Sequence, residues 1–170
     1  MIYAIGLIAV ILGVALDQYT KYLAISHLQG NPITLIDGVF ELRYLENRGA
    51  AFGLFQNQQV FFLIIGSITL FFVIYLYIRM PQTKHFLLLR ICMISITAGA
   101  IGNMIDRARF QYVVDFLYFE LIDFPIFNVA DIFATVATFG LMILLLFYYK
   151  EDDIDELFQL LTPKRKAHKE

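Results

Sequence analysis

The sequence predicts an α-helical integral membrane protein with four transmembrane helices and a small extracytoplasmic β-sheet. Three observations support this prediction. Hydrophobic residues make up 59% of the chain, more than the roughly one half that is usual in soluble domains. The chain contains four apolar runs, each with about the 20 residues that a helix needs to cross the bilayer. These runs are continuously apolar rather than alternating, which favours helices over the strands of a barrel.

The four runs cover approximately residues 2–26, 59–78, 85–107 and 125–149. No Lys or Arg precedes the first run and no small-residue cleavage site follows it, so we interpret it as a retained span. Pro81 ends the second helix, and Pro125 suits the first turn of the fourth, where its missing N–H costs nothing. We therefore predict one membrane-embedded domain over residues 1–150, followed by a tail over residues 151–170.

The distribution of Lys and Arg predicts how the spans are oriented. With four spans, both termini and the 80–84 loop lie on one side of the membrane. That side carries eight Lys and Arg residues, whereas the opposite side carries five. Because cytoplasmic loops carry the excess of Lys and Arg, we predict that both termini and the tail are cytoplasmic.

Polar side chains concentrate at the outer ends of the first and third helices and at the start of the fourth. Ionisable groups in a span are costly and usually face a bundle interior or a watered cavity. In the inner halves only Arg90 is charged, and we expect its head group to extend to the interface. The polar ends therefore predict one site near the outer interface, formed by Asp17, Gln18, Lys21, Asn103, Asp106, Arg107, Asn128 and Asp131.

The outer loop over residues 28–58 has the pattern of a β-hairpin. Residues 33–36 and 39–45 flank an Asp-Gly pair, which is a strong hairpin signal. The following segment contains Gly49 and Gly53, which allow a loop to move or to approach a ligand closely. We therefore predict a small sheet on the outer surface with a mobile loop after it.

Asp115 and Asp131 are the strongest candidates for chemistry. Asp115 lies between two pairs of apolar residues, and Asp131 lies just inside the last apolar run. Two carboxylates that share one site cannot both ionise cheaply, so such a pair holds one proton at neutral pH. One acid then activates a water while the other protonates a carbonyl, which hydrolyses a peptide without a covalent intermediate. The alternative is an ordinary loop acid at position 115 and a first-turn acid, stabilised by the helix dipole, at position 131.

The asparagines and the remaining charges have structural as well as functional interpretations. Asn128 and Asp131 are three residues apart, as are Asn103 and Asp106, so each amide is spaced to orient the neighbouring acid. Alternatively, the asparagines join helices by polar contacts worth ~1 kcal/mol or less each. For the charges we favour self-neutralising structural pairs, namely Asp106 with Arg107 and Asp17 with Lys21.

Other chemistries are poorly supported. The histidines are not spaced as metal ligands are, and the sequence contains no His-Glu-x-x-His zinc pattern. It also contains no Gly-x-Ser-x-Gly elbow of a serine hydrolase. A metal site built on the two carboxylates stays open, but without nitrogen or sulfur ligands it disfavours zinc. We expect no cofactor. The net charge of −2, with no basic stripe outside the termini and loops, predicts no nucleic-acid partner.

Five sequence blocks occur in order along the chain, namely residues 17–21 (DQYTK), 47–53 (NRGAAFG), 98–107 (AGAIGNMIDR), 113–116 (VVDF) and 127–131 (FNVAD). Together they resemble the signature blocks of the bacterial lipoprotein signal peptidases (signal peptidase II). One departure is Ala98, which stands where many members have a second glycine.

The resemblance implies an aspartic endopeptidase of the bacterial inner membrane. Such an enzyme removes the signal peptide of a diacylglyceryl-modified prolipoprotein by cleaving before the lipidated cysteine. Matched by position, Asp115 and Asp131 are the expected catalytic pair. The residues expected to bind substrate or support the site are Asn47, Asn103, Arg107, Asn128, Asp17, Lys21, Gly53 and Asp106.

The expected partners are the prolipoprotein and membrane lipid, and we expect a monomer. Two other functions stay open from the residues alone. One is a small ion-coupled transporter or channel that uses Asp17, Asp106 and Asp131, although such a protein needs polar groups along its whole span. The other is a non-catalytic chaperone for lipidated proteins.

Overall fold

The predicted four-helix membrane architecture is confirmed. A computed structural model describes residues 1–49 and 54–161 of the chain. Four of its helices are long and apolar enough to cross a membrane. They are α1 (Ile2–His27), α2 (Gln59–Arg79), α3 (Leu87–Phe110) and α4 (Val129–Ile143), the last continued by a π-helical turn over Leu144–Tyr148.

A three-stranded antiparallel sheet lies at one end of the bundle. Its strands are β1 (Ile33–Ile36), β2 (Phe40–Asn47) and β3 (Val113–Phe119), in that order across the sheet. The predicted hairpin is confirmed, and Gly38 adopts the positive φ of 66° that its turn needs. Strand β3 was not predicted, because its apolar run was interpreted as part of a connection between helices. Its first four residues are buried, and Asp115 is one of them.

Helix α4 begins at Val129, so the prediction that Pro125 lies in its first turn is wrong. The segment before the helix is extended, and Phe127 pairs with Leu117 of β3 in an antiparallel bridge. Asn128 caps the helix, and its side chain and that of Asp131 form a capping box. A residue pinned to the sheet cannot also be helical, so the helix begins after Asn128.

Helix α3 is the centre of the bundle, because α1, α2 and α4 all pack against it. Two glycines permit the closest approaches. A Cβ atom at Gly99 would lie 2.4 Å from the backbone oxygen of Ala130, and one at Gly102 would lie 2.4 Å from a carboxylate oxygen of Asp17. The backbone of α3 therefore lies close to α4 and α1 at the level of the predicted polar site.

Arg90 extends to the C-terminal end of α2. Its side chain is only 1% exposed, and its guanidinium donates hydrogen bonds to the carbonyl oxygens of Tyr77, Met80 and Pro81. The last carbonyls of a helix have no intrahelical partner and carry partial negative charge. Arg90 therefore satisfies the carbonyls where α2 ends and the 80–84 loop begins.

The first part of the tail forms a fifth helix, α5 (Glu151–Leu161). Ile154 and Leu157 pack against the buried cluster at the adjacent ends of α2 and α3. Asp153 also lies 2.9 Å from Nε2 of His85. The beginning of the tail is therefore attached to the bundle.

Candidate active site

A cavity of about 530 Å³ lies where α3 and α4 meet the sheet. One wall is polar and the other is apolar. The polar part includes Asn47, Asn103, Arg107, Asp115 and Asp131, and the apolar part includes Val113, Phe124, Pro125, Ile126, Phe127, Ile132 and Val136.

Asp115 reaches this cavity from strand β3 and is only 1% exposed. Its carboxylate accepts hydrogen bonds from Nδ2 of Asn47 at 2.8 Å and from Nδ2 of Asn128 at 2.6 Å. Burial and the negative charge of Asp131 raise the pKa of Asp115 to about 7, although the two amide donors act against the shift. Asp115 is therefore a carboxyl group that exchanges a proton near neutral pH.

Asp131 reaches the same cavity from the first turn of α4. One oxygen accepts a hydrogen bond from Nδ2 of Asn103 at 2.8 Å, and the other accepts one from the backbone N–H of Asn128 at 3.1 Å. Its position agrees with the first-turn alternative, in which the helix dipole favours the carboxylate. The same carboxylate also faces the cavity, so the two interpretations are compatible.

Asn128 connects the two acids. It is fully buried, donates from Nδ2 to Asp115, and donates its backbone N–H to Asp131. The predicted contact between Asn128 and Asp131 is confirmed. The analogous pairing of Asn103 with Asp106 is wrong, because the Asn103 amide is directed at Asp131 instead.

A buried ionic cluster lies behind the cavity. The ammonium of Lys21 is 2.9 Å from a carboxylate oxygen of Asp17 and 2.9 Å from one of Asp106. All three side chains are nearly inaccessible. The predicted pair of Asp17 with Lys21 is confirmed, whereas that of Asp106 with Arg107 is wrong. Asp106 is turned inward, where it also accepts a hydrogen bond from the backbone N–H of Val114 at 3.1 Å.

Comparison with known proteins identifies the family. The family model described as "Signal peptidase (SPase) II" matches residues 9–147. The chain belongs to the signal peptidase II family.

Individual signal peptidases and solved structures agree with this assignment. The chain is 41% identical over 155 residues to a lipoprotein signal peptidase of Clostridium tetani (strain Massachusetts / E88), covering 88% of this chain and 96% of that protein. It is 40% identical over 147 residues to one of Streptococcus pyogenes serotype M1, covering 86% and 93%. A bacterial membrane enzyme solved by the in meso method at 2.3 Å resolution superposes with a TM-score of 0.77 at 32% identity, covering 87% of this chain and 93% of that one.

Membership of the signal peptidase II family makes this chain a protease that removes signal peptides from prolipoproteins. The family assignment, the enzyme class and the location in a bacterial membrane are therefore confirmed. The family places the chain among hydrolases and not among the transporters or chaperones that the polar residues left open.

Among the described residues, Arg107 is the one cationic side chain that lines the cavity of this signal peptidase II. Its guanidinium lies 4.6 Å from the centre of the Phe62 ring, and Nη2 lies 3.5 Å from the carbonyl oxygen of Gly49. Within the described part of the chain, its Nε is buried without a hydrogen-bond partner. Arg107 therefore retains a donor beside the two acids.

The loop after β2 is only partly described. Asn47 and Gly49 line the cavity, and the backbone N–H of Gly49 donates to Oδ1 of Asn47 at 3.0 Å. Gly53, a predicted site residue, lies outside the described residues. In the described part of the signal peptidase II chain, no group of three or more His, Cys, Asp or Glu side chains is arranged to hold a metal ion.

Sequence reasoning missed two residues that support this loop and the apolar wall. Gln59 is buried and donates from Nε2 to the carbonyl oxygen of Arg48 at 2.6 Å, and Phe62 contacts the guanidinium of Arg107. Neither stood out, because α2 carries few polar residues. The wall residues Ile132 and Val136 had a usable signal, since they are four residues apart and therefore lie on one face of α4, directly after Asp131.

Proposed function

We propose that this signal peptidase II cleaves diacylglyceryl-modified prolipoproteins immediately before the lipidated cysteine, using a water molecule activated between Asp115 and Asp131. One observation carries the proposal. The two carboxylates come from different elements, line one cavity and hydrogen-bond different groups of the same residue, Asn128. Carboxylates that share a site in this way are suited to general acid–base hydrolysis.

The acids have distinct starting roles in this proposal. Because the pKa of Asp115 is raised to about 7, Asp115 begins as the acid and Asp131 as the base. Asp131 accepts a proton from the water as the water oxygen attacks the scissile carbonyl carbon, while Asp115 donates its proton to the carbonyl oxygen. The tetrahedral intermediate then collapses as Asp115 recovers its proton from the hydroxyl group. Asp131 passes its proton to the leaving nitrogen, and both acids return to their starting states.

Neighbouring donors hold the reacting groups in place. Asn47, Asn103 and Asn128 each donate to a carboxylate, so they fix the acids. The guanidinium of Arg107 lines the cavity together with the two acids, and we assign it to a carbonyl oxygen of the substrate backbone. A charged donor is suited to orient an amide before attack.

The position of the cavity supports cleavage near the outer leaflet. The sheet and the polar ends of α1, α3 and α4 lie together at the end of the bundle opposite to the start of α1 and to α5. We propose that this side is extracytoplasmic, with both termini cytoplasmic. A substrate held by acyl chains in the outer leaflet then presents its scissile bond at the level of Asp131, and its apolar signal helix approaches along Ile132 and Val136. We propose a monomer without a nucleic-acid partner.

The decisive experiment compares a diacylglyceryl-modified precursor with its unmodified twin, each incubated with the purified enzyme. We expect cleavage of the modified precursor alone, with the new N-terminus at the lipidated cysteine. Equal cleavage of both precursors would contradict the proposed substrate class. Cleavage that survives replacement of both acids by asparagine would contradict the proposed mechanism.

A further inference from the structure

Three asparagine amides are fixed by groups that can only donate. Oδ1 of Asn47 accepts a hydrogen bond from the backbone N–H of Gly49. Oδ1 of Asn128 accepts one from the backbone N–H of Asp131 at 3.0 Å. Oδ1 of Asn103 accepts one from Nζ of Lys21 at 2.8 Å. An amide oxygen must face such a donor, so the NH₂ group points the other way. In all three cases it points at a carboxylate of the acid pair.

The donor to Asn103 differs from the other two. The first two donors are backbone N–H groups within two or three residues of the asparagine, so local turns supply them. Lys21 lies on α1, whereas Asn103 lies on α3. Its ammonium has three protons and three partners, namely Asp17, Asp106 and Asn103, and it is 2% exposed. The direction of the Asn103 amide is therefore held by a charge delivered from another helix, with a second, neutral donor in Nδ2 of Asn128.

We propose that Lys21 is a positioning residue for hydrolysis, because its ammonium holds the Asn103 amide with the NH₂ group toward Asp131. This inference rests on the proposed function of Asp131. A flipped amide would place its oxygen against a carboxylate oxygen and would direct its NH₂ at the ammonium, so both contacts would become repulsive. Without Lys21, the donor that remains to Oδ1 of Asn103 within the described part of the chain is the neutral Nδ2 of Asn128, at the longer distance of 3.1 Å.

A purely structural role is the competing explanation. Asp17 accepts a hydrogen bond from the backbone N–H of Ala130 at 2.9 Å, so the ionic cluster also ties α1 to the start of α4. Removing Lys21 alone would leave two buried carboxylates without a cation, which is strongly destabilising. A useful variant must therefore neutralise the whole cluster.

The test uses two matched triple variants that carry no charge in the cluster. Both contain Asp17→Asn and Asp106→Asn, and they differ only in Lys21→Met or Lys21→Gln. The two replacement side chains reach equally far, from Cβ to a terminal ε atom, but only the glutamine amide can donate to Oδ1 of Asn103. The readouts are kcat and KM for the diacylglyceryl-modified precursor, together with the thermal unfolding midpoint of each purified enzyme.

We expect kcat to fall about 10- to 100-fold with methionine, because this is the usual cost of losing a group that orients a reacting residue. With glutamine, we expect kcat to stay within about fivefold of the wild type, with similar KM and unfolding midpoint in both variants. In a background carrying Asn103→Leu, we expect the two triple variants to have equal kcat, since no amide remains to be oriented.

The outcomes separate this inference from the proposed function. If the wild-type enzyme does not cleave the modified precursor, the proposed function itself fails. If the wild type is active but the Lys21→Met and Lys21→Gln triple variants have the same kcat, the positioning role is overturned. It is also overturned if the difference in kcat between these two variants persists when Asn103→Leu is added. If only the Lys21→Gln triple variant folds, a kcat near that of the wild type supports the positioning role. A fall in its kcat as large as the fall caused by Asn103→Leu overturns that role. If neither variant folds, Lys21 is a structural residue and the inference is overturned.

Discussion

At the scale of single residues, the two candidate acids are held by amides and, among the described residues, not by cations. Asp115 and Asp131 each accept two N–H hydrogen bonds, whereas the ammonium of Lys21 is occupied by other partners. A direct ion pair would keep a carboxylate ionised and unable to hold a proton. Neutral donors fix the position of the acids and leave their protons exchangeable.

Replacement of either acid by asparagine tests this arrangement. We expect Asp115→Asn and Asp131→Asn each to lower kcat by about 10²–10⁴-fold, the range for loss of a general acid or base. The fold should persist, because an asparagine oxygen at position 131 still accepts the capping bond from Asn128. Cleavage of the modified precursor measures the effect, with Glu120→Gln as an exposed control. Near-normal turnover by either variant would remove that acid from the mechanism.

The raised pKa of Asp115 also predicts how stability changes with pH. Its ordinary value is 3.8, and its value in the folded protein is about 7. Between these values the unfolded chain releases the proton while the folded protein keeps it, so stability falls as pH rises through this window. Above about pH 7 the decrease in folding stability that this carboxyl group causes is complete.

We therefore expect Asp115→Asn to stabilise the enzyme more at pH 8 than at pH 5, relative to the wild type. The difference between the two pH values should be about 2–4 kcal/mol, because each pKa unit corresponds to about 1.4 kcal/mol. Unfolding in detergent at both pH values measures it, with Glu120→Gln as the matched control. A pH-independent effect of Asp115→Asn would show that burial of this carboxyl group costs little.

At the scale of elements, the helix contacts that build the site depend on close backbone approach. Gly99 faces the backbone of Ala130, one residue before Asp131. A methyl group at this position cannot be accommodated by a side-chain rotation, because the nearest atom belongs to the α4 backbone. Any added atom must displace the first turn of α4 and, with it, the carboxylate that this turn carries.

We expect Gly99→Ala to destabilise the protein by about 1–3 kcal/mol, as overpacking usually does, and to lower kcat. The control is Gly140→Ala, also at the interface of α3 and α4. There a Cβ atom would lie 3.3 Å from Sγ of Cys92, which demands only a small adjustment. Thermal unfolding and cleavage assays compare the two variants. If both substitutions lowered stability and kcat equally, the close approach at the first turn of α4 would have no special importance for the site.

Much of this element-level architecture could be predicted from sequence, but the links between distant segments could not. Long apolar runs and the Asp-Gly turn follow local rules, so the spans and the hairpin were recoverable. Strand β3 is short and buried, and only its pairing with β2 distinguishes it from a connection. The partners of Asn103 and Asp106 were also missed, because spacing within α3 says nothing about α1 or α4.

At the scale of the whole molecule, polarity is divided between the two ends of the bundle. One end carries the sheet, the cavity and the ionic cluster, and the other carries the start of α1 and α5. The halves of the spans at the α5 end pack through apolar side chains around Arg90, whose guanidinium is hydrogen-bonded by carbonyls at the end of α2. This division permits one end to be hydrated while the remainder is matched to lipid.

Chemical labelling of single cysteines tests the proposed orientation. In a Cys92→Ala background, Asp37→Cys places a thiol in the exposed turn of the hairpin, and Lys84→Cys places one in the exposed loop between α2 and α3. We expect a membrane-impermeant maleimide to label position 37 in intact cells with the outer membrane absent or permeabilised. Position 84 should react only after the inner membrane is opened. The reverse pattern would invert the topology.

The capping box at the start of α4 limits which substitutions could make this enzyme resistant to an inhibitor. A compound that places a hydroxyl group between the carboxylates would contact Asp131, whose side chain also begins the helix through Asn128. Resistance substitutions at these two positions would remove activity along with drug binding, and those that delete the capping side-chain oxygen would also weaken the first turn of α4. Tolerated resistance should instead arise on the apolar wall, at residues such as Ile132 and Val136, where a change of shape leaves the acids in place.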